Sequence, residues 1–176
     1  SKELILSDQV LRDKLLAQAL PGGVTLSADE ALDANVREEV AEKEIKEDFW
    51  SSFAKNWHRE KDRALLNGNK ITLTSGLNLE STYRGQFQFS NRDSGKFFLG
   101  LSFFEAGSKE ILLNFAKYSK GYEQFHPEEV LSEIEFDLEK IKSVRFYKNR
   151  KNVIKFQNEE YANEFFKDYC KNGIYI

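Results

Sequence analysis

Few residues of this chain are of a type and spacing that could do chemistry, and most fail at the spacing. The only two histidines, His58 and His126, lie far apart with no second imidazole three or four positions away, so neither can form the paired-histidine helix of a zinc site. Cys170 is the only cysteine, which excludes an intramolecular disulfide and any paired-cysteine metal site. As a nucleophile it would need a distant histidine beside what reads as a helix C-terminus, where the dipole raises a thiol pKa. Gly95-Lys96 lacks the upstream glycine and the following Ser or Thr of a phosphate-cradling loop, and neither GxGxxG nor GxSxG occurs. With 29 Asp and Glu in 176 residues, paired carboxylates are too common to diagnose an acid–base site. No catalytic residue, metal ligand or cofactor site is assigned, and a protein that is not an enzyme is expected.

Two patches have the shape of a binding surface. Between 140 and 155 stand Lys140, Lys142, Arg145, Lys148, Arg150, Lys151 and Lys155, with no acid among them. Asn149-Arg150-Lys151-Asn152 reads as a hairpin turn inside this stretch. Lys142, Arg145, Tyr147, Arg150 and Lys155 form the candidate anion- or peptide-binding set, an aromatic among cations suiting phosphate or acidic-peptide contact. The alternative is a wet sheet face balanced by the preceding acidic row of Glu133, Glu135, Asp137 and Glu139, since opposite charges across strands stabilise a sheet. The second patch is aromatic: Phe49, Trp50, Phe53 and Trp57 recur at near-helical spacing and form either a partner surface or core. Upstream, 29–48 carries nine acids against three bases, a solvated helix face or a dock for a basic partner.

The elements that position these residues follow from periodicity. A helix is read over about 7–20, capped by Ser7 and stopped by Pro21-Gly22-Gly23, and a second over about 27–66, opened by the capping-box spacing of Ser27 and Glu30. After Gly68 the apolar period drops to two. Strands are expected at 70–74, along Tyr83, Phe87 and Phe89, and over 97–104, where apolar residues on both faces mark the best-buried strand. Further strands run along Ile111, Leu113 and Phe115, along Ile134, Phe136 and Leu138, and in a hairpin of 144–146 with 154–156. Asn158 caps a last helix, apolar along Tyr161, Ala162, Phe165, Phe166 and Tyr169, which Asn172-Gly173 ends. The tail Ile174-Tyr175-Ile176 is apolar enough to dock on the fold or on a partner.

These elements define an α+β protein: an N-terminal helical arm over 1–67, then over 68–176 a roughly seven-stranded antiparallel β-barrel or roll capped by a C-terminal helix. The text FDLEKIKSVRF, a short basic turn, NVIKF and NEEYANEFFKDY, over 136–169, resembles the last third of pleckstrin-homology and GRAM-like domains. That resemblance implies a bent barrel plugged by one amphipathic helix, and a lipid- or peptide-docking role. It does not extend to inositol phosphates, because 76–88, where such members cluster cations, holds only Arg84.

With a formal net charge of -3, specific nucleic-acid binding is not expected. No run of about 18 apolar residues occurs and the first residues lack a secretory apolar stretch, so a soluble, cytoplasmic protein is expected. The expected function is that of a non-catalytic protein-interaction or assembly subunit whose partner is another protein. A phospholipid- or acidic-peptide-docking module and a β-sandwich carbohydrate binder, the latter suggested by the aromatic strands of 83–104, are the alternatives.

Overall fold

A computed structural model describes residues 28–55, 64–120, 123–171 and 174–175. The chain divides between Glu42 and Lys43 into two units. Helix α1 (Ala28–Phe49) begins in the first and ends in the second. In the first unit every α1 residue from 33 to 40 is exposed.

The second unit is mixed α+β. A π-helical turn, Trp50–Ala54, follows α1 and closes where Lys55 turns extended and its N–H reaches the Trp50 carbonyl. The wider turn keeps Phe49 and Phe53 together, with ring centroids 5.1 Å apart. Strands β1 (Ala64–Asn67) and β2 (Lys70–Leu73) form a hairpin about Gly68, whose φ of 62° lies in the left-handed region that glycine tolerates best. A separate hairpin pairs β3 (Leu79–Ser81) with β4 (Phe87–Phe89). Three helices come next: α2 (Asn91–Ala106), α3 (Leu113–Ser119) and the single turn α4 (Pro127–Val130). The chain returns to the sheet as β5 (Ile134–Glu135), β6 (Ile141–Phe146) and β7 (Asn152–Phe156), then forms α5 (Glu159–Tyr169) and β8 (Ile174–Tyr175).

The large sheet has the order β5-β6-β7-β2-β1-β8, antiparallel except for the parallel edge pair β1–β8. One face is core: Ala64, Leu66, Ile71, Leu73, Val144, Phe146, Ile154 and Phe156 are all buried. Ala162, Phe165, Phe166 and Tyr169 form the buried stripe of α5, which packs against β1, β2 and β7. Asn158 caps that helix by accepting the Tyr161 N–H at 2.8 Å. The entry to β6 is held from α2: the Glu105 carboxylate accepts the backbone N–H groups of Glu139, Lys140 and Ile141 at 2.8, 3.1 and 2.9 Å.

Several sequence expectations give way. Residues 97–104 are the middle of α2, not a strand. Their unbroken apolar run is as compatible with a buried helix, and FFLGLSFF contains no β-branched residue to favour extension. The stretch around Phe115 is likewise helical, in α3. The helix expected to reach 66 ends at Phe49, and 64–67 is a strand. Tyr83 does not share a strand face with Phe87 and Phe89; it sits 97% exposed in the β3–β4 turn. The sheet is open rather than closed into a barrel, because its terminal strands β5 and β8 are not neighbours. The tail docks on the fold, pairing Ile174 and Tyr175 with Leu65 and Leu66. The helix expected over 7–20 lies outside the described residues.

Gly100 marks where α1 meets α2. A Cβ there would lie 2.7 Å from Cδ2 of the fully buried Phe49. Valine recovers little helix propensity over glycine, so overpacking decides the outcome. Gly100→Val is expected to lower stability by about 1–3 kcal/mol, read from the urea midpoint; an unchanged midpoint would mean that the two helices do not pack this closely.

Candidate functional site

On the face of the large sheet away from α5, alternation and register assemble a checkerboard. Ser143 of β6, Lys155 of β7 and Lys70 of β2 form one row, since Ser143 pairs with Lys155 and Lys155 with Lys70. The next row runs Arg145, Val153, Thr72 and Leu65 across β6, β7, β2 and β1. A cleft of about 320 Å³ opens over these rows, lined by Lys70, Thr72, Glu133, Arg145, Tyr147, Val153 and Lys155.

Its electrostatics are uneven. Glu133, just before β5, takes a 2.9 Å ion pair from Lys155 and a 2.6 Å hydrogen bond from the Ser143 hydroxyl on the same Oε1. That hydrogen bond first, and then Lys155, hold the Glu133 carboxyl below the usual carboxylate range. The Arg145 guanidinium stacks over Tyr147 at 4.9 Å, and Lys151 approaches the same ring at 4.9 Å. Neither contact cancels charge. Among the described residues Lys70 and Arg145 make no ion pair, and Lys70 stands directly opposite Lys155, a like-charge arrangement that costs stability in a sheet.

Of the five cation-patch residues read from the sequence, the structure brings Arg145, Tyr147 and Lys155 together at the cleft. Lys142 is exposed beside the β-bulge of β6 and does not line it. Arg150 serves the hairpin turn instead: its φ is 68° and its carbonyl accepts the Gly76 N–H at 2.7 Å. Lys70 and Thr72 are additions that the hairpin's own sequence does not announce, whereas Glu133 belongs to the acidic row read as balancing the cations, and its ion pair with Lys155 realises that balance in part. The polar–apolar alternation of KITL gives the side on which Lys70 and Thr72 fall, but only the pairing of β2 with β7 brings them to the hairpin.

The aromatic patch is largely core. Phe49 and Phe53 are fully buried, so they present no surface to a partner. Trp50 is half-buried; its indole N–H donates to the Lys171 carbonyl at 2.9 Å, and Lys55 and Lys171 lie 5.0 and 5.4 Å from its ring. Trp57 and His58 fall outside the described residues.

A second cleft, of about 330 Å³, includes Lys46, Phe104, Lys140, Asp168 and Tyr169. Two of its three lysines, Lys46 and Lys140, are engaged internally, and the third, Lys167, is exposed at its rim. Lys46 lies 3.6 Å from Asp168, and the Lys140 ammonium donates to the Phe104 carbonyl at 3.3 Å while sitting over the rings of Phe104 and Tyr161. Cys170 is buried, and burial pushes its thiol pKa up, which suppresses the reactive thiolate. His126 occupies the cap position of α4, its backbone N–H donating to Glu129 Oε2 at 2.8 Å ahead of Pro127. Among the described residues no group of three or more His, Cys, Asp or Glu is placed to hold a metal, and no helix is long and apolar enough to cross a membrane. Comparison with protein-family models, with curated proteins and with solved structures finds no match to the chain.

The Glu133 cluster carries a pH signature. Because folding lowers this carboxyl pKa, the stabilisation is complete above the ordinary carboxylate range and lost as pH falls through the depressed folded value. Glu133→Gln is therefore expected to destabilise by up to about 1 kcal/mol near neutrality, the ceiling for a solvent-screened pair. The difference from wild type should shrink in acid. Chemical denaturation of both proteins at several pH values measures it, and a difference independent of pH would remove the ionic account.

Proposed function

We propose that the chain is a non-catalytic binding module that docks an acidic segment of a partner protein on the outer face of its six-stranded sheet. The observation that carries this reading is the unbalanced charge of the cleft. Lys70 and Arg145 reach it without an ion-pair partner among the described residues, while Lys155 already shares Glu133. An incoming carboxylate relieves the Lys70–Lys155 repulsion and meets a guanidinium that Tyr147 pre-orients, so little side-chain freedom remains to be lost on binding.

A peptide fits better than a lipid surface. Membrane-docking faces join cations to apolar side chains that insert. Here the apolar side chains of the face, Leu65 and Val153, are half-buried within the sheet and do not protrude to insert, and the large exposed apolar residues of the described chain, Val36, Val40, Tyr83 and Leu113, do not line the cleft. Glu133 on its wall would also oppose a uniformly anionic surface, whereas a peptide can space its carboxylates around it. Of the aromatic residues of 83–104 that suggested a carbohydrate face, Phe87, Phe89, Phe97 and Phe98 are buried and Phe103 and Phe104 half-buried, which leaves Tyr83 exposed by itself in the β3–β4 turn rather than an aromatic platform. The likeness of 136–169 to pleckstrin-homology and GRAM-like domains also favours docking; its support is the order β6, β7, α5, in a sheet that is open where that superfold curls into a barrel.

A fluorescein-labelled peptide of about ten residues, half of them Glu or Asp, is expected to bind with an anisotropy change that weakens as salt rises from about 50 to 200 mM. Arg145→Ala and Lys70→Ala should each weaken binding by roughly 2- to 5-fold, as for loss of one solvent-screened ion pair. Equal affinity for wild type and both variants would overturn the site. Retention on anionic vesicles without peptide binding would transfer it to the lipid reading.

A further inference from the structure

The exposed part of α1 is acidic, carries an uncovered apolar stripe and has the dimensions of the docking face, and we infer that the segment docked there is this arm of a second copy of the chain. The inference rests on the docking reading and names its partner.

From 33 to 40 every residue of α1 is exposed, more than two turns with no covered side. A short helix without packing is marginal in water, because its stability comes mostly from a buried face. Val36 and Val40 are 57% and 51% exposed and lie four residues apart, on one side of the helix. Asp33 and Glu39, three residues before and after Val36, flank that side with carboxylates, against one base, Arg37, three residues before Val40. What would cover such a helix is a surface with an apolar strip edged by cations.

The sheet presents that surface. Leu65, Thr72 and Val153, all half-buried, form an apolar strip across β1, β2 and β7, ended by Arg145 on β6. Beside it runs the row that holds Lys70 and Lys155. Four residues rise about 6 Å along a helix and neighbouring strands lie about 4.8 Å apart, so consecutive valines of the arm can seat over consecutive strands while the flanking carboxylates meet the cations. Each copy offers one arm and one face. Association is therefore head-to-tail, closing as a reciprocal dimer or continuing as a chain.

Sedimentation velocity of the full chain tests this. Mass is expected to rise with concentration at about 50 mM salt and to return to monomer at about 500 mM, where the Debye length contracts. A face variant, Lys70→Glu with Arg145→Glu, and an arm variant, Asp33→Lys with Glu39→Lys, should each self-associate at least 10-fold more weakly. An equimolar mixture should regain association, because the reversed arm of one meets the reversed face of the other. All four positions are exposed, and circular dichroism confirms that each variant is folded. A wild-type chain that stays monomeric at about 100 μM in low salt, or variants that do not complement, would overturn the inference. The acidic-peptide titration separates the two readings: if the peptide binds while the chain stays monomeric, the docking face stands and its partner is another protein; if neither occurs, both fall.

Discussion

Phe49 has no exposed surface. Its ring lies 5.5 Å from Phe97 of α2 and 5.2 and 5.8 Å from Phe165 and Tyr169 of α5, and these last two stack at 4.4 Å with an interplanar angle of 2°. Such pairs add about 0.5–1.5 kcal/mol each beyond the area they bury. Three elements distant in sequence thus converge on one ring, and Gly100 is the residue that lets α2 come close enough. With α5 fixed there, its apolar stripe covers one face of β1, β2 and β7. The period of two along those strands then sends Lys70, Thr72, Val153 and Lys155 to the other face. The charged cleft is in this sense the reverse side of the aromatic core.

The two clefts differ in how their charges are satisfied. Around α2 and α5, Glu105 and Lys140 are spent on the fold itself, while Glu164 and Lys167 are exposed at the rim. The Glu105 carboxylate collects three backbone N–H groups at the entry to β6, and Lys140 is taken up by a carbonyl and two aromatic faces. Removing either group would unsatisfy backbone or uncover core, so these residues read as structural. On the outer face of the sheet one carboxylate, Glu133, serves Lys155, and among the described residues the neighbouring Lys70 and Arg145 have no counterpart.

The parts of the fold legible in the sequence were those specified by short-range rules. Asn158 followed by two glutamates announced α5, and the alternation on either side of Asn149-Arg150-Lys151-Asn152 announced the β6–β7 hairpin. Residues 97–104 misled because a segment buried on all sides erases the difference between the two periods, leaving only the absence of β-branched residues as a clue. The stop of α1 at Phe49 was hidden because the apolar pattern runs on through Phe53, and the π-helical turn preserves that pattern while ending the helix. Half of the cleft was hidden for another reason. Lys70 and Lys155 become neighbours only through the β2–β7 ladder, and no local signal in either strand encodes that pairing.

That ladder also bears on why two lysines face each other at all. The β1–β2 hairpin and the inward-facing Ile71 and Leu73 fix the register of β2 against Ile154 and Asn152 of β7. A one-residue slip would expose that core, so position 70 must oppose position 155. The side chains at those positions are a separate matter. Exposed sheet positions accept polar residues of either sign, and an acid at 70 opposite Lys155 would have been favourable by roughly 0.2–1 kcal/mol. Packing therefore dictates the juxtaposition but not the charge, and the Lys70–Lys155 pair is the point on this face where folding alone would favour a different residue. That cost, offset in part where Glu133 pairs with Lys155 and borne beside an arginine with no ion-pair partner among the described residues, is what the proposed acidic ligand would relieve.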